Sequence, residues 1–303
     1  MKVSGFKGLN NRIDAIRLMP EFQIQANNVL CDVAGMLLRR PGLTTICSGL
    51  KDIYGTPSHR LLAINSQDQL IEINAAHEIK VLHTEILGAP FQWAELGYAL
   101  FLLSSTHQWA IYPHRVCAWG SLCATEVNDA DSPGYSPPPS GYLLATRGSQ
   151  LVVADYDAAK NYSVLYYSRP DYPHEFALYQ DYIMIPGKIM LLASFQAGLL
   201  VGTNQAVYLD FFEQPLQRVA DYGVAEHAGA FSDSGMIYFW TERGLCVAPP
   251  FKNLTDNHWS VQNYSTTRLG ILEYRGDQYA IIQQTGAKRL DRRSQSSNPL
   301  SLT

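Results

Sequence analysis

The chain has 303 residues, 47% of them hydrophobic and 17% charged, with a formal net charge of −4. A chain of this length buries roughly three-quarters of its unfolded surface, enough for a sizeable core. The mild acidity excludes the broad basic field of a general nucleic-acid binder, and no apolar run has the length that a membrane span needs.

Tyrosine (18) outnumbers phenylalanine (11) and tryptophan (5), beside 22 glycines and 16 prolines. Aromatic residues favour pleated strands while Gly and Pro punctuate turns, so an all-β fold is expected. Five cysteines without a Cys-x-x-Cys pair, and an opening MKVSGFKGLNN without an apolar stretch, point to synthesis in a reducing cytoplasm. Charge is spread unevenly. Lys2, Lys7, Arg12, Arg17, Arg39 and Arg40 outweigh Asp14, Glu21 and Asp32 near one end, and Lys288, Arg289, Arg292 and Arg293 outweigh Asp291 near the other. Basic ends on an acidic body suit docking on acidic partners or on copies of the same chain.

In chain order, residues 1–50 carry no repeat and read as an extended N-terminal arm leading into the first strands. Within them, 21–30 (EFQIQANNVL) is the best short helical candidate. Residues 51–290 then repeat one unit, a short apolar strand, a turn and a second alternating strand. It occurs at Leu61–Asn74, Ala94–Pro113, Leu143–Ser168, Leu191–Phe211, Gly229–Pro249 and Leu269–Gln284. In LLVGTNQAVYLDF the strands flank a Gly202-Thr203-Asn204 turn, and in GMIYFWTERGLCVA they flank Glu242-Arg243-Gly244. An isolated hairpin is marginal because one apolar face stays wet. Stacking four-stranded sheets around an axis covers those faces, and a period of about 40–50 residues is that of propeller blades. The expectation is therefore a β-propeller of about six blades over 51–290. Residues 122–141 (LCATEVNDADSPGYSPPPSG) read as a long loop between the second and third units, and 291–303 (DRRSQSSNPLSLT) as a polar C-terminal tail that orders on a neighbour.

Chemical motifs are scarce. Neither a nucleophile elbow nor a phosphate loop is present, and the eight histidines never take His-x-x-x-His spacing. His107 and His114 flank Trp109 at a separation unsuited to a strand-borne metal pair. Asn128-Asp129-Ala130-Asp131 alternates oxygen ligands, but counting from Asp129 the twelfth position is Ser140, where a calcium loop needs Glu. Phe231-Ser232-Asp233-Ser234-Gly235 with Trp240 departs from the sialidase box S-x-D-x-G-x-x-W at its first and last positions. Glu95, Asp155, Asp157, Glu242 and Glu273 are left as turn or solvent-face carboxylates. No catalytic residue, cofactor or metal is expected. Tyrosines crowd one segment instead, with Tyr162, Tyr166, Tyr167, Tyr172 and Tyr179 as interface candidates shared with blade-core packing.

Phe6-Lys7-Gly8-Leu9-Asn10-Asn11 is followed by Ala26-Asn27-Asn28-Val29, Asp32, Gly35 and Leu38-Arg39-Arg40-Pro41-Gly42. This opening resembles that of structural proteins of tailed bacteriophages. Tyr166-Tyr167-Ser168-x-Pro170, Leu199-Leu200-Val201-Gly202-Thr203 and Trp240-x-x-x-Gly244-Leu245 are similar to blade motifs of the same group. The resemblance implies a non-enzymatic virion component of the tail hub, baseplate, tail-tip or nozzle region. It implies other virion tail proteins as partners, several copies in a symmetric assembly, and contact with DNA if the chain lines a tail channel. Interface candidates are Arg12, Arg17, Arg39, Arg40, Tyr166, Tyr167, Tyr172, Arg292 and Arg293. The alternative is a propeller that binds a host receptor or glycan through Tyr and Trp loops; a glycan-cleaving propeller stands third.

Overall fold

The computed structural model describes residues 47–56, 60–122, 134–212, 214–226 and 235–255 in full, and the backbone of strands at 8–9, 22–23, 29–31, 37–39, 227–231, 267–274, 277–284, 289–293 and 300–302. Every regular element among the described residues is a β-strand, so the all-β expectation holds. Two compact units are formed, Leu43–Ser194 and Met1–Gly42 with Phe195–Thr303.

Four short strands come first. β1 (Gly8–Leu9) runs parallel to β2 (Phe22–Gln23), and β3 (Val29–Cys31) pairs antiparallel with β4 (Leu37–Arg39). The segment 21–30, expected as the best helical candidate, thus holds β2 and the start of β3. Its adjacent asparagines and β-branched Val29 are weak helix formers, and strand pairing prevails.

In the unit Leu43–Ser194, a first sheet orders β5 (Leu50–Gly55), β6 (Leu61–Asn65), β7 (Leu70–Ile73) and β8 (Ile79–His83). A second orders β9 (Gln92–Leu96), β10 (Ala99–Leu103), β11 (Gln108–Tyr112) and β12 (Arg115–Ala118). The third contains β13 (Leu143–Arg147), β14 (Gln150–Asp157) and β15 (Tyr162–Arg169); both β16 (Tyr172–Phe176) and β17 (Tyr182–Pro186) pair with β15. Three further four-stranded sheets follow. They are β18 (Ile189–Phe195), β19 (Gly198–Thr203), β20 (Val207–Phe211) and β21 (Gln217–Ala220); β22 (Val224–Phe231), β23 (Ile237–Thr241), β24 (Gly244–Ala248) and β25 (Lys252–Asn253); and β26 (Thr267–Tyr274), β27 (Asp277–Gln284), β28 (Arg289–Arg293) and β29 (Leu300–Leu302). The segment 291–303, read above as a tail, therefore contributes the end of β28 and all of β29. In the second unit β1 and β3 lie beside β29.

Why the second strand of a sheet is so apolar is clear at β10. Leu100 and Leu102 point into a cluster with Leu62, Ile64 and Leu70 of the first sheet, whereas Ala99, Phe101 and Leu103 pack with Leu144, Leu151 and Val153 of the third. A strand covered on both faces needs no polar alternation. ALFLL is continuous for that reason, and GLLVGT and IYFWT are likewise buried throughout. Transfer of a side chain such as Leu102 from water contributes about 1.5–3 kcal/mol, so these layers are the main stabilising term.

In the first five sheets the turn after the second strand is closed by one side-chain oxygen. Asn65 Oδ1 accepts the N–H groups of Gln67 and Gln69, and Ser104 Oγ those of Thr106 and His107. Asp157 Oδ1 accepts from Ala159 and Lys160, and Thr203 Oγ1 from Gln205 and Ala206. Thr241 Oγ1 accepts the Arg243 N–H and donates to the Gly244 carbonyl. Asx- and ST-turn chemistry satisfies donors that the ladder leaves unpaired. Gly202, expected in a turn, lies inside β19 opposite Val207, and the turn is Asn204-Gln205. A Cβ on Gly202 would stand 2.6 Å from Val224 Cγ2, so close approach of the neighbouring sheet requires the glycine.

Candidate interaction surface

The third sheet departs from the others because β17 adds a fifth strand beside the first half of β15. Side chains alternate along β15. Ser163, Leu165 and Tyr167 are buried on one side, while Tyr162, Val164 and Tyr166 are half-buried on the other. β17 extends that second face, with Pro186 opposite Tyr162, Met184 opposite Val164 and Tyr182 opposite Tyr166. Met184 is 58% exposed and Tyr182 41%, and Tyr179, in the turn before β17, is 92% exposed. The rings of Tyr166 and Tyr182 sit 6.4 Å apart at 45°.

Charge borders this apolar face. Asp155 of β14 lies opposite Val164 in register. The Lys160 ammonium stands 5.7 Å from the Tyr162 ring and 3.6 Å from Asp157. Burial pushes the Tyr166 phenol above its ordinary range, and the Asp155 charge and the phenols of Tyr162, Tyr182 and Tyr179 add to that. Tyr166 therefore stays a neutral hydrogen-bonding ring at any physiological pH. Behind the face, Ser163 fixes the sheet to the chain that follows: its Oγ donates to the Gly187 carbonyl at 2.8 Å and accepts the Ile189 N–H at 3.0 Å. Tyr142 donates to the Ile189 carbonyl at 2.8 Å.

Three of the tyrosines singled out from sequence, Tyr166, Tyr167 and Tyr172, occupy three environments. Tyr166 lies half-buried where the exposed face meets the cluster of Leu144, Leu151 and Val153. Tyr167 points the opposite way, is 7% exposed and has the Arg147 guanidinium 5.4 Å from its ring centre. Tyr172 of β16 lies on a separate patch, where the Arg169 guanidinium sits 4.1 Å from its ring and 5.2 Å from that of Tyr135. Arg169 also pairs with the buried Glu175 at 2.9 Å. Arg12, Arg17 and Arg40 lie outside the described residues, as do Asn128–Asp131. Arg39 is the last residue of β4, and Arg292 and Arg293 are in β28; their side chains are outside the described residues. Sequence reading missed Tyr182 and Met184. YIMIP is apolar throughout, so the letters carried no signal for which of its residues face outward. His107 stacks on Trp109, with ring centres 6.1 Å apart at 5°.

No family model matches the sequence, and no curated protein matches it. Solved structures do match in chain path. The extracellular domain of a hybrid two-component system from B. thetaiotaomicron is 12% identical with a TM-score of 0.49, over 92% of this chain and 38% of that one. A streptogramin B lyase is 10% identical with a TM-score of 0.48, over 86% of this chain and 84% of the other. TolB from Acinetobacter baumannii is 10% identical with a TM-score of 0.42, over 90% and 60%. At such identities no residue role passes from them to this chain.

Proposed function

We propose that the chain is a six-bladed β-propeller with residues 1–50 as an N-terminal arm, and that it is a structural component of a bacteriophage tail, acting through protein–protein interfaces without turning over a substrate. The observation that carries the interface reading is the aromatic and aliphatic face of Tyr162, Tyr166, Tyr179, Tyr182 and Met184. Tyrosine and methionine are enriched where proteins meet, and contiguous exposed apolar surface marks interaction sites. The phage assignment is supported by the opening Phe6–Asn11 and by Leu38-Arg39-Arg40-Pro41-Gly42.

On this reading several copies stand in a symmetric assembly with other tail proteins. A ring needs heterologous contacts, one patch against a different one. Basic ends and an acidic body provide such unlike surfaces, and Arg39 and Arg40 are the residues to meet DNA if the ring lines a channel. The test is location. Mass spectrometry and labelled electron microscopy of purified particles are expected to find the chain in the tail. Its absence from purified particles would overturn the proposal.

A further inference from the structure

Between the first and second sheets a cleft of about 360 Å³ opens. It is bounded by Arg60 just before β6, Lys80 of β8, Tyr98 just before β10 and Pro113 just after β11, where the apolar layer between the sheets gives way to polar side chains. Leu62, Leu70, Leu100 and Ile111, each at most 7% exposed, form its apolar floor. Tyr98, on the β9–β10 turn, is 78% exposed at its rim, and its ring is 6.1 Å from that of Tyr112 at 55°.

The polar wall carries both signs of charge. Arg60 Nε donates to Glu72 Oε1 at 2.7 Å, Lys80 is opposite Glu72 across the β7–β8 ladder, and Glu95 projects from the second sheet. The hydrogen bond from Arg60 holds the Glu72 carboxyl below its usual range, and the charges of Arg60 and Lys80 add to that. Two cationic and two anionic side chains balance, so the wall favours neither a phosphate nor an ammonium ligand. It offers closely spaced donors and acceptors together.

From this combination we infer that the cleft between the first two sheets is a saccharide-binding site. A sugar hydroxyl donates and accepts at once, which suits adjacent guanidinium, ammonium and carboxylate groups, and the C–H face of a pyranose packs on an exposed tyrosine ring. The volume falls at the small end of ligand pockets and accommodates one or two sugar rings. The bound sugar covers the Tyr98 ring and lies over the apolar floor. The site stands independently of the tail assignment, since it uses other residues on other sheets.

The experiment uses the full-length protein with glucose, galactose, N-acetylglucosamine, cellobiose and lactose as probes, read by saturation-transfer NMR and titration calorimetry. Saturable binding of at least one probe is expected. Tyr98→Ala and Glu95→Gln each weaken it about tenfold or more, a loss of about 1.4 kcal/mol. Tyr179→Ala, on the third sheet, leaves it unchanged. Tyr98 is exposed on a turn and Gln is isosteric with Glu, so unchanged melting curves identify the losses as losses of binding. The inference is overturned if none of the five probes binds saturably, if binding persists in both cleft variants, or if free leucine binds in the cleft and no sugar does. Particle location tests the tail role separately.

Discussion

The backbone N–H of Gly120 donates to Nδ1 of His174 at 3.0 Å. That bond places the imidazole proton on Nε2, which faces the Tyr112 hydroxyl at 2.6 Å. His174 is 6% exposed, and its ring stacks on Tyr112 at 6.2 Å and 16°. Protonating Nδ1 would turn an acceptor into a donor pointing at another donor. Burial lowers the His174 pKa below the ordinary histidine value, and Arg115 pushes the same way while Glu175 opposes.

Because the folded pKa is lowered, the unfolded chain binds the proton first. Stability is therefore full above about pH 6.5 and declines as pH falls through the unfolded and then the folded value. His83, whose pKa burial also lowers, contributes in the same direction. His174→Asn keeps an acceptor for Gly120 but does not titrate. Denaturant melts between pH 8 and pH 5 are expected to show a shallower decline in this variant. An unchanged slope would show that His174 is not the group responsible.

Asp52 joins the first sheet to the second. Its Oδ2 accepts the Phe91 N–H and the Trp93 Nε1–H, both at 2.7 Å, and Oδ1 accepts the Ile53 N–H at 2.9 Å. Tyr54 stacks on Trp93 at 5.3 Å, and burial, with the Glu95 charge adding, pushes its phenol up to about 12. Asp52→Ala leaves these donors unpaired and is expected to cost about 2–4 kcal/mol in chemical denaturation. A loss below about 0.5 kcal/mol would mean that water replaces the carboxylate.

Gly202 and Val224 form a similar pair in the other unit. Gly202→Ala drives a methyl against Val224 and is expected to cost about 1–3 kcal/mol. Val224→Ala removes the obstacle, so the double variant recovers about 1 kcal/mol relative to additivity. Strict additivity would place the cost in the β19 backbone rather than in the contact.

Much of the fold is legible in the sequence because hairpin strands are local. LLAIN, ALFLL and IYFWT announce buried strands, and each repeat unit falls within one sheet. The alignment of the units was harder to read. Asn65, Ser104, Asp157, Thr203 and Thr241 perform the same task with four residue types, so the repeat exists in chemistry and not in letters. Leu61–Asn74 begins on a second strand whereas Ala94 begins near a first, which blurred the period. Tyr166 and Tyr167 show the limit for the surface. Adjacent residues of a strand face opposite ways, and which way is inward depends on a neighbouring sheet that no local pattern encodes.

That same alternation sharpens the test of the interaction surface. Tyr182→Ser and Met184→Ser remove exposed apolar groups whose side chains hold no core position, so each is expected to change stability by no more than about 0.5 kcal/mol. Tyr166→Ala, by contrast, opens the edge of the cluster around Leu144 and Val153 and is expected to cost about 2–4 kcal/mol. If the face docks a neighbour, the serine pair reduces incorporation into particles at least tenfold while the free protein stays folded. Equal incorporation of the double variant and the parent would remove this face from the assembly, because loss of two central anchors of an interface costs about 2 kcal/mol or more.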